Sequence, residues 1–163
     1  MLNENLSDYE RLLQYAIWLI SKKRYTCLEI QKKLQQFLNK HELKDENASK
    51  KVIDRLKELD YLNDNKYAKD YVSDRIRFNP RGKFLLKREL KSKGIDEDLA
   101  NSTLNDTDVD ELEMAKELLQ KRRFNFEVEL SQKEIDRIYR FLASKGFNKE
   151  IIYKAFQSQY NRN

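Results

Sequence analysis

The chain repeats itself, and the repeat limits what it can fold into. With Ala16, Ala68 and Ala115 in register, three segments read alike: Ala16-x-x-Leu19-Ile20-x-x-Lys23, Ala68-x-x-Tyr71-Val72-x-x-Arg75 and Ala115-x-x-Leu118-Leu119-x-x-Arg122. A second phrase, Leu90-Lys-Ser-Lys-Gly94-Ile-Asp-Glu-Asp-Leu99, returns 52 residues later as Leu142-Ala-Ser-Lys-Gly146-Phe-Asn-Lys-Glu-Ile151. Self-similarity at this period marks stacked supersecondary units that bury their apolar faces on one another. Apolar positions recur every three to four residues, without period-2 alternation, so the units are helical. The spacing predicts an all-α fold: an elongated array of three tandem three-helix repeats (nine helices). One continuous domain divides into residues 1–63, 64–106 and 107–163.

Local signals place the helices near 8–23, 26–38, 46–59, 65–77, 80–93, 96–104, 108–123, 131–145 and 148–159. Ser7-x-x-Glu10, Thr26-x-x-Glu29 and Ser131-x-x-Glu134 have capping-box spacing, in which hydroxyl and carboxylate satisfy orphan backbone donors. Asp64, Asp96, Asp108 and Asn148 are candidate N-caps, and Asn79-Pro80 fits an N-cap followed by the first helical position. Gly94 and Gly146 suit the left-handed residue that ends a helix. The polar connection 39–47 has no glycine stop.

Composition narrows the function classes. With 39% hydrophobic residues the chain can build a core, and with 37% charged residues its layers are thin and much of its face is solvated. Three Gly and one Pro leave no Gly-rich phosphate loop. The longest apolar run, Ala16 to Ile20, is far too short to span a membrane or serve as a signal core. A lone Cys27 forms no internal disulfide, which suits a reducing compartment. These features predict a cytoplasmic protein, monomeric, with no membrane partner and no cofactor.

Catalytic chemistry finds little footing. His41, the single histidine, has no second His or Cys at ligand spacing, so a surface or capping role is expected and a metal site is not. Cys27 follows a candidate N-cap, which can lower a thiol pKa, but no base stands near it in sequence; a part-buried inert thiol is expected. Asp70 and Asp74 lie among Lys66, Lys69 and Arg77, a salt-laced helix surface. No motif points to an enzyme.

The basic stretch is more informative. From Arg75 to Lys93 there are eight Lys or Arg and one acid, Glu89. On a helical wheel Gly82, Leu85, Leu86 and Leu90 share one arc, the core-facing stripe. Arg81, Lys83, Lys87, Arg88 and Lys91 take the opposite arc, with Phe84 in its middle. An aromatic among cations suits stacking on a base or anchoring in a protein pocket; packing of Phe84 on a neighbouring repeat is the plainer alternative. Lys22 and Arg24, with Lys121 and Arg123, end the first helices of the outer repeats, as Arg77 does in the middle one. They would form a periodic positive row facing an anionic polymer, although the helix dipole alone favours cations there. Lys23, Arg75 and Arg122 lie seven residues after the repeated Ala, near the centre of the apolar stripe. Their stems are expected to pack while their heads cap a helix end or meet a carboxylate, a structural role.

At this point the residues resemble the RecX regulatory family. Ala16-x-x-Leu19-Ile20-x-x-Lys23-Arg24-Tyr25-Thr26-x-x-Glu29-Ile30-x-x-Lys33-Leu34 is similar to that family's first-repeat pattern. Leu56-x-x-Leu59-Asp60-Tyr61-Leu62-Asn63-Asp64-x-x-Tyr67-Ala68-x-x-Tyr71-Val72-x-x-Arg75 resembles its centre. Gly82, Leu86, Glu89-Leu90 and Lys93-Gly94-Ile95 follow in order, and Phe141-Leu142-x-x-x-Gly146-Phe147 fits its close. The resemblance spans about residues 9–156. Two positions depart: Asp60 stands where the family usually has Gly, and Asn63 where it often has Asp, so the turn before Asp64 is expected to be built differently. The resemblance implies a non-enzymatic regulator that binds the RecA recombinase filament and inhibits its strand exchange and coprotease activity in DNA repair and the SOS response. DNA, single- or double-stranded, is a second candidate partner. Two other readings stay open: a basic DNA-binding helical repeat acting without RecA, and a protein-only helical adaptor.

Overall fold

The computed structural model describes residues 6–43, 45–108, 110–122, 124, 126 and 129–160. Among them nine helices run in sequence: α1 (Asp8–Lys22), α2 (Cys27–Lys40), α3 (Glu46–Glu58), α4 (Asp64–Phe78), α5 (Lys83–Ser92), α6 (Glu97–Asp106), α7 (Glu111–Lys121), α8 (Gln132–Ser144) and α9 (Lys149–Tyr160). They pack in threes, and in each unit the first helix lies along the third. The repeated alanines are why these helices approach closely: Ala16, Ala68 and Ala115 are fully buried. Around them sit three separate cores, Leu12, Ile30, Leu34 and Leu56 in the first, Val72, Leu86 and Leu90 in the second, Leu119, Ile138 and Leu142 in the third. Each such side chain contributes roughly 1.5–3 kcal/mol on burial. Among the described residues the helices that lie along one another belong to the same unit, and the units meet only at their turns and helix ends. The array is elongated.

Three second helices end in one way. The N–H groups of Leu43, Ile95 and Phe147 donate back to the carbonyls of Leu38, Leu90 and Leu142, the six-to-one bond of a Schellman turn. The left-handed residue is Gly94 (φ +87) in the second repeat and Gly146 (φ +88) in the third. In the first it is Glu42, at φ 53. Connection 39–47 therefore has a stop after all, hidden because a non-glycine residue supplies it.

These turns join the repeats. The turn after α5 sits on the start of α2: the Thr26 hydroxyl donates to the Lys93 carbonyl (2.6 Å), and Lys93 Nζ meets Glu29 (3.2 Å). The turn after α8 sits on the start of α5: the Gly82 N–H donates to the Lys145 carbonyl (2.9 Å). At each joint the acid that opens the next unit's first helix accepts the first helical N–H, Asp64 from Cys27 (2.8 Å) and Glu111 from Lys83 (2.9 Å). The approach is close enough to exclude a side chain. A Cβ on Gly94 would lie 2.4 Å from Leu28, and one on Gly82 would lie 2.2 Å from the Gly146 carbonyl oxygen.

Several helix-start expectations are corrected here. Asn63, not Asp64, caps α4 by accepting from the Lys66 N–H (2.9 Å), because Asp64 is turned to α2. Asp110, not Asp108, caps α7. Helix α5 begins at Lys83 with Gly82 as its N-cap, not at Pro80; the extended backbone at Gly82 (φ −65, ψ 155) carries the chain to the Lys145 carbonyl. The Ser7, Thr26 and Ser131 capping boxes form, and Asp96 and Asn148 cap as expected. The turn before Asp64 keeps a left-handed residue, Asp60 at φ 56, and Asn63 Nδ2 donates to its carboxylate (2.9 Å). The two departures from the family pattern thus form one bond, which an Asp at 63 could not donate.

Gly82→Ala is expected to destabilise the protein by roughly 2 kcal/mol, as overpacking at a rigid contact does, seen as a lower urea midpoint. Glu42→Gly, which relieves a left-handed residue at an open end, is expected to raise it by up to about 1 kcal/mol.

Candidate partner interface on the second repeat

Helix α5 presents its predicted basic face, but the structure divides that face in two. Glu97, at the start of α6, reaches between Lys87 (2.7 Å) and Lys91 (2.8 Å). Hydrogen bonds from Lys87, then Lys91, pull the Glu97 carboxyl from an ordinary 4.5 down to about 2. Arg81 is half-buried with its Nε 3.8 Å from Glu89. All three were read from the wheel as outward contacts: Lys87 and Lys91 are held by a carboxylate that a wheel of one helix does not contain, and Arg81 is drawn toward Glu89, the one acid on that wheel. Phe84 is 71% exposed. Arg88 is exposed beside it, one turn on, and among the described residues neither Arg88, Lys83 nor Arg77 has an ion-pair partner. Arg77 lies 5.1 Å from the Phe78 ring, which is 72% exposed. What remains open to a partner is a pair of aromatics with adjacent guanidinium groups.

The three positions predicted to be structural part ways. Arg75 alone lies in a half-buried network: its Nε donates to Tyr71 Oη (3.0 Å) and Glu89 (3.2 Å), and the Tyr71 hydroxyl donates to the same carboxylate (2.8 Å). Burial, the largest influence, raises the Tyr71 hydroxyl pKa. Lys23 falls just past α1, where extended backbone (φ −162) turns it off the stripe; it is exposed, with Nζ 4.5 Å from the Tyr25 ring. Arg122 is likewise exposed, over Phe141 at 5.3 Å. Both correct the expectation of a buried stem, since the helices end before the seventh position.

The terminal cations do not form a uniform row. Arg24 bridges Asp70 and Asp74, each at 2.7 Å, and so ties the first repeat to the second. Lys121 pairs with Glu117 (3.1 Å). Lys22 stays exposed, 5.9 Å from Trp18. Arg123 lies outside the described residues. Sequence reasoning missed Lys66 and the tyrosines 25, 61 and 67, which gather at the first joint and line a cleft there with Lys22; the dense Tyr spacing around the central motif was the available signal.

Catalytic candidates gain nothing. His41 is the C-cap of α2, its backbone N–H donating to the Phe37 carbonyl, and its ring packs at a tilt of 39° on the Phe37 ring, 4.3 Å away. Burial, then Asp64, pushes the Cys27 thiol up to about 11, so it is a poor nucleophile. Among the described residues no cluster of His, Cys, Asp or Glu could hold a metal ion, and no helix is long and apolar enough to cross a membrane.

Comparison with known proteins agrees on one family. Residues 63–104 match the RecX second three-helix domain and residues 108–156 the RecX third three-helix domain. A regulatory protein RecX of Streptococcus sanguinis is 28% identical over 188 residues, covering 98% of this chain and 69% of its own length. One from Bacillus pumilus is 39% identical over 132 residues, covering 80% of this chain; the chain spans 49% of that relative. The crystal structure of RecX from Lactobacillus salivarius superposes with a TM-score of 0.79 at 25% identity, over 96% of this chain and 98% of that one.

The Glu97 bridge sets a pH dependence. A carboxyl held low by folding stabilises the fold above its unfolded value, and that support is lost as pH falls from about 4.5 toward 2. Side-chain carboxyl NMR is expected to give a Glu97 midpoint near 2, returning toward the ordinary value in Lys87→Ala/Lys91→Ala.

Proposed function

The chain belongs to the RecX family, and on that premise we propose that it binds the RecA–DNA filament and inhibits recombinase and coprotease activity. It acts in the cytoplasm, as a monomer and without catalysis of its own. The observation that carries this reading is the family match over two of the three repeats. The geometry supports it with a suitable surface: exposed Phe84 as an anchor and Arg88 beside it for an acidic patch on the filament protein. Lys87, Lys91 and Arg81, already paired within the chain, contribute less than their charge suggests. A repeating, elongated scaffold can lie along a helical polymer and contact successive subunits.

The test is ATP hydrolysis by RecA on single-stranded DNA, titrated with this protein. Inhibition at substoichiometric protein is expected. Phe84→Ala/Arg88→Ala is expected to need at least tenfold more protein for the same effect, with an unchanged helical signal. No inhibition, together with tight and salt-sensitive binding to naked DNA, would replace this reading with that of a DNA-binding repeat acting without RecA.

A further inference from the structure

A groove follows one side of α4 where the first two repeats meet. Its wide end is a cleft of about 490 Å³ whose walls include Lys22, Tyr25, Tyr61, Lys66 and Tyr67. It continues through a hollow of about 190 Å³ between Lys23, Arg24, Tyr67 and Tyr71, and ends in one of about 350 Å³ beside Tyr71, Arg75 and Phe78. Adjacent hollows share Tyr67 and then Tyr71 as walls, so the three form one path. Along α4 this path covers about 22 Å, at roughly 1.5 Å per residue.

The lining has two properties together. Tyr67 and Tyr71 lie parallel, with ring centroids 6.0 Å apart and planes 13° apart. Tyr61 (61% exposed) and Phe78 (72% exposed) stand at the two ends. Rings left in water are costly unless something covers them. The second property is charge. Among the described residues Lys22, Lys23 and Lys66 have no ion-pair partner, whereas Asp70 and Asp74 are held by Arg24 and Asp60 accepts from Asn63.

We propose that this groove binds single-stranded nucleic acid, on the order of four nucleotides. Bases stack on Tyr61 and Phe78 at the ends, and Lys22, Lys23 and Lys66 face the phosphates. A free nucleotide would fill only the wide cleft and leave Phe78 bare. A duplex hides its base faces and offers nothing for the rings to stack on. The proposal rests on the filament reading for its setting, since such a filament carries the strand, but the contact is tested without RecA.

The test is fluorescence anisotropy of a labelled eight-nucleotide oligothymidine with the full chain. Wild-type protein is expected to bind it and to prefer it to a duplex. Tyr61→Ala/Phe78→Ala is expected to bind at least tenfold more weakly with unchanged circular dichroism, while Tyr61→Phe retains binding. Lys22→Ala/Lys66→Ala is expected to reduce the slope of log affinity against log salt by about 1.4. Equal binding by Tyr61→Ala/Phe78→Ala, preference for the duplex, or competition by thymidine monophosphate at equal concentration would overturn the proposal. So would loss of DNA-free RecA binding in that variant with oligonucleotide binding intact, which would give the groove to protein. Absence of RecA inhibition, with the oligonucleotide results as expected, would sink the filament reading alone.

Discussion

The architecture depends on how one helix end meets another. The C-terminal turns of α5 and α8 rest on the N-termini of α2 and α5. A carbonyl at one helix end meets a donor at the start of the other, a capping hydroxyl at the first joint and an unpaired backbone N–H at the second, and opposed partial charges of the two helix ends attract. Thr26 with Lys93, and Gly82 with Lys145, are the two instances. Each is completed by an acid from the following unit, Asp64 or Glu111. Without these contacts the chain would be three small bundles on a string, each too small to bury much of its surface.

Local rules in the sequence revealed most of this fold. The repeated alanines, the capping boxes and the two Lys-Gly turns are short-range signals, and each formed where its spacing placed it. What stayed hidden depended on partners distant in sequence. Asp64 reads as a cap for its own helix but serves α2, 37 residues away. Pro80 reads as a helix start, yet the chain stays extended until Gly82 has reached the third repeat. Glu42 concealed the first copy of the Schellman turn, since a search for glycine cannot see a glutamate in a left-handed conformation.

The surface was legible in the same partial way. The wheel correctly separated the buried face of α5 from its open face, because burial follows periodicity. It could not tell which lysines were already spoken for. Glu97 belongs to a different helix and meets Lys87 and Lys91 only after α6 has folded back along α5. The tyrosines of the first joint come from α4 and from the connections before α2 and α4, so no single segment announces them as a group.

The two joints differ in stiffness. At the second, backbone meets backbone with no room for a Cβ, and Ile76 belongs to the apolar clusters on both sides. At the first, glycine meets the Leu28 side chain, and one edge is held by an exposed arginine between the half-exposed Asp70 and the exposed Asp74. Ion pairs of that kind are weak and screened by salt. A bend between the last two repeats would have to move backbone against backbone, whereas one at the Arg24 edge need only part an ion pair, so salt is expected to loosen the first joint before the second.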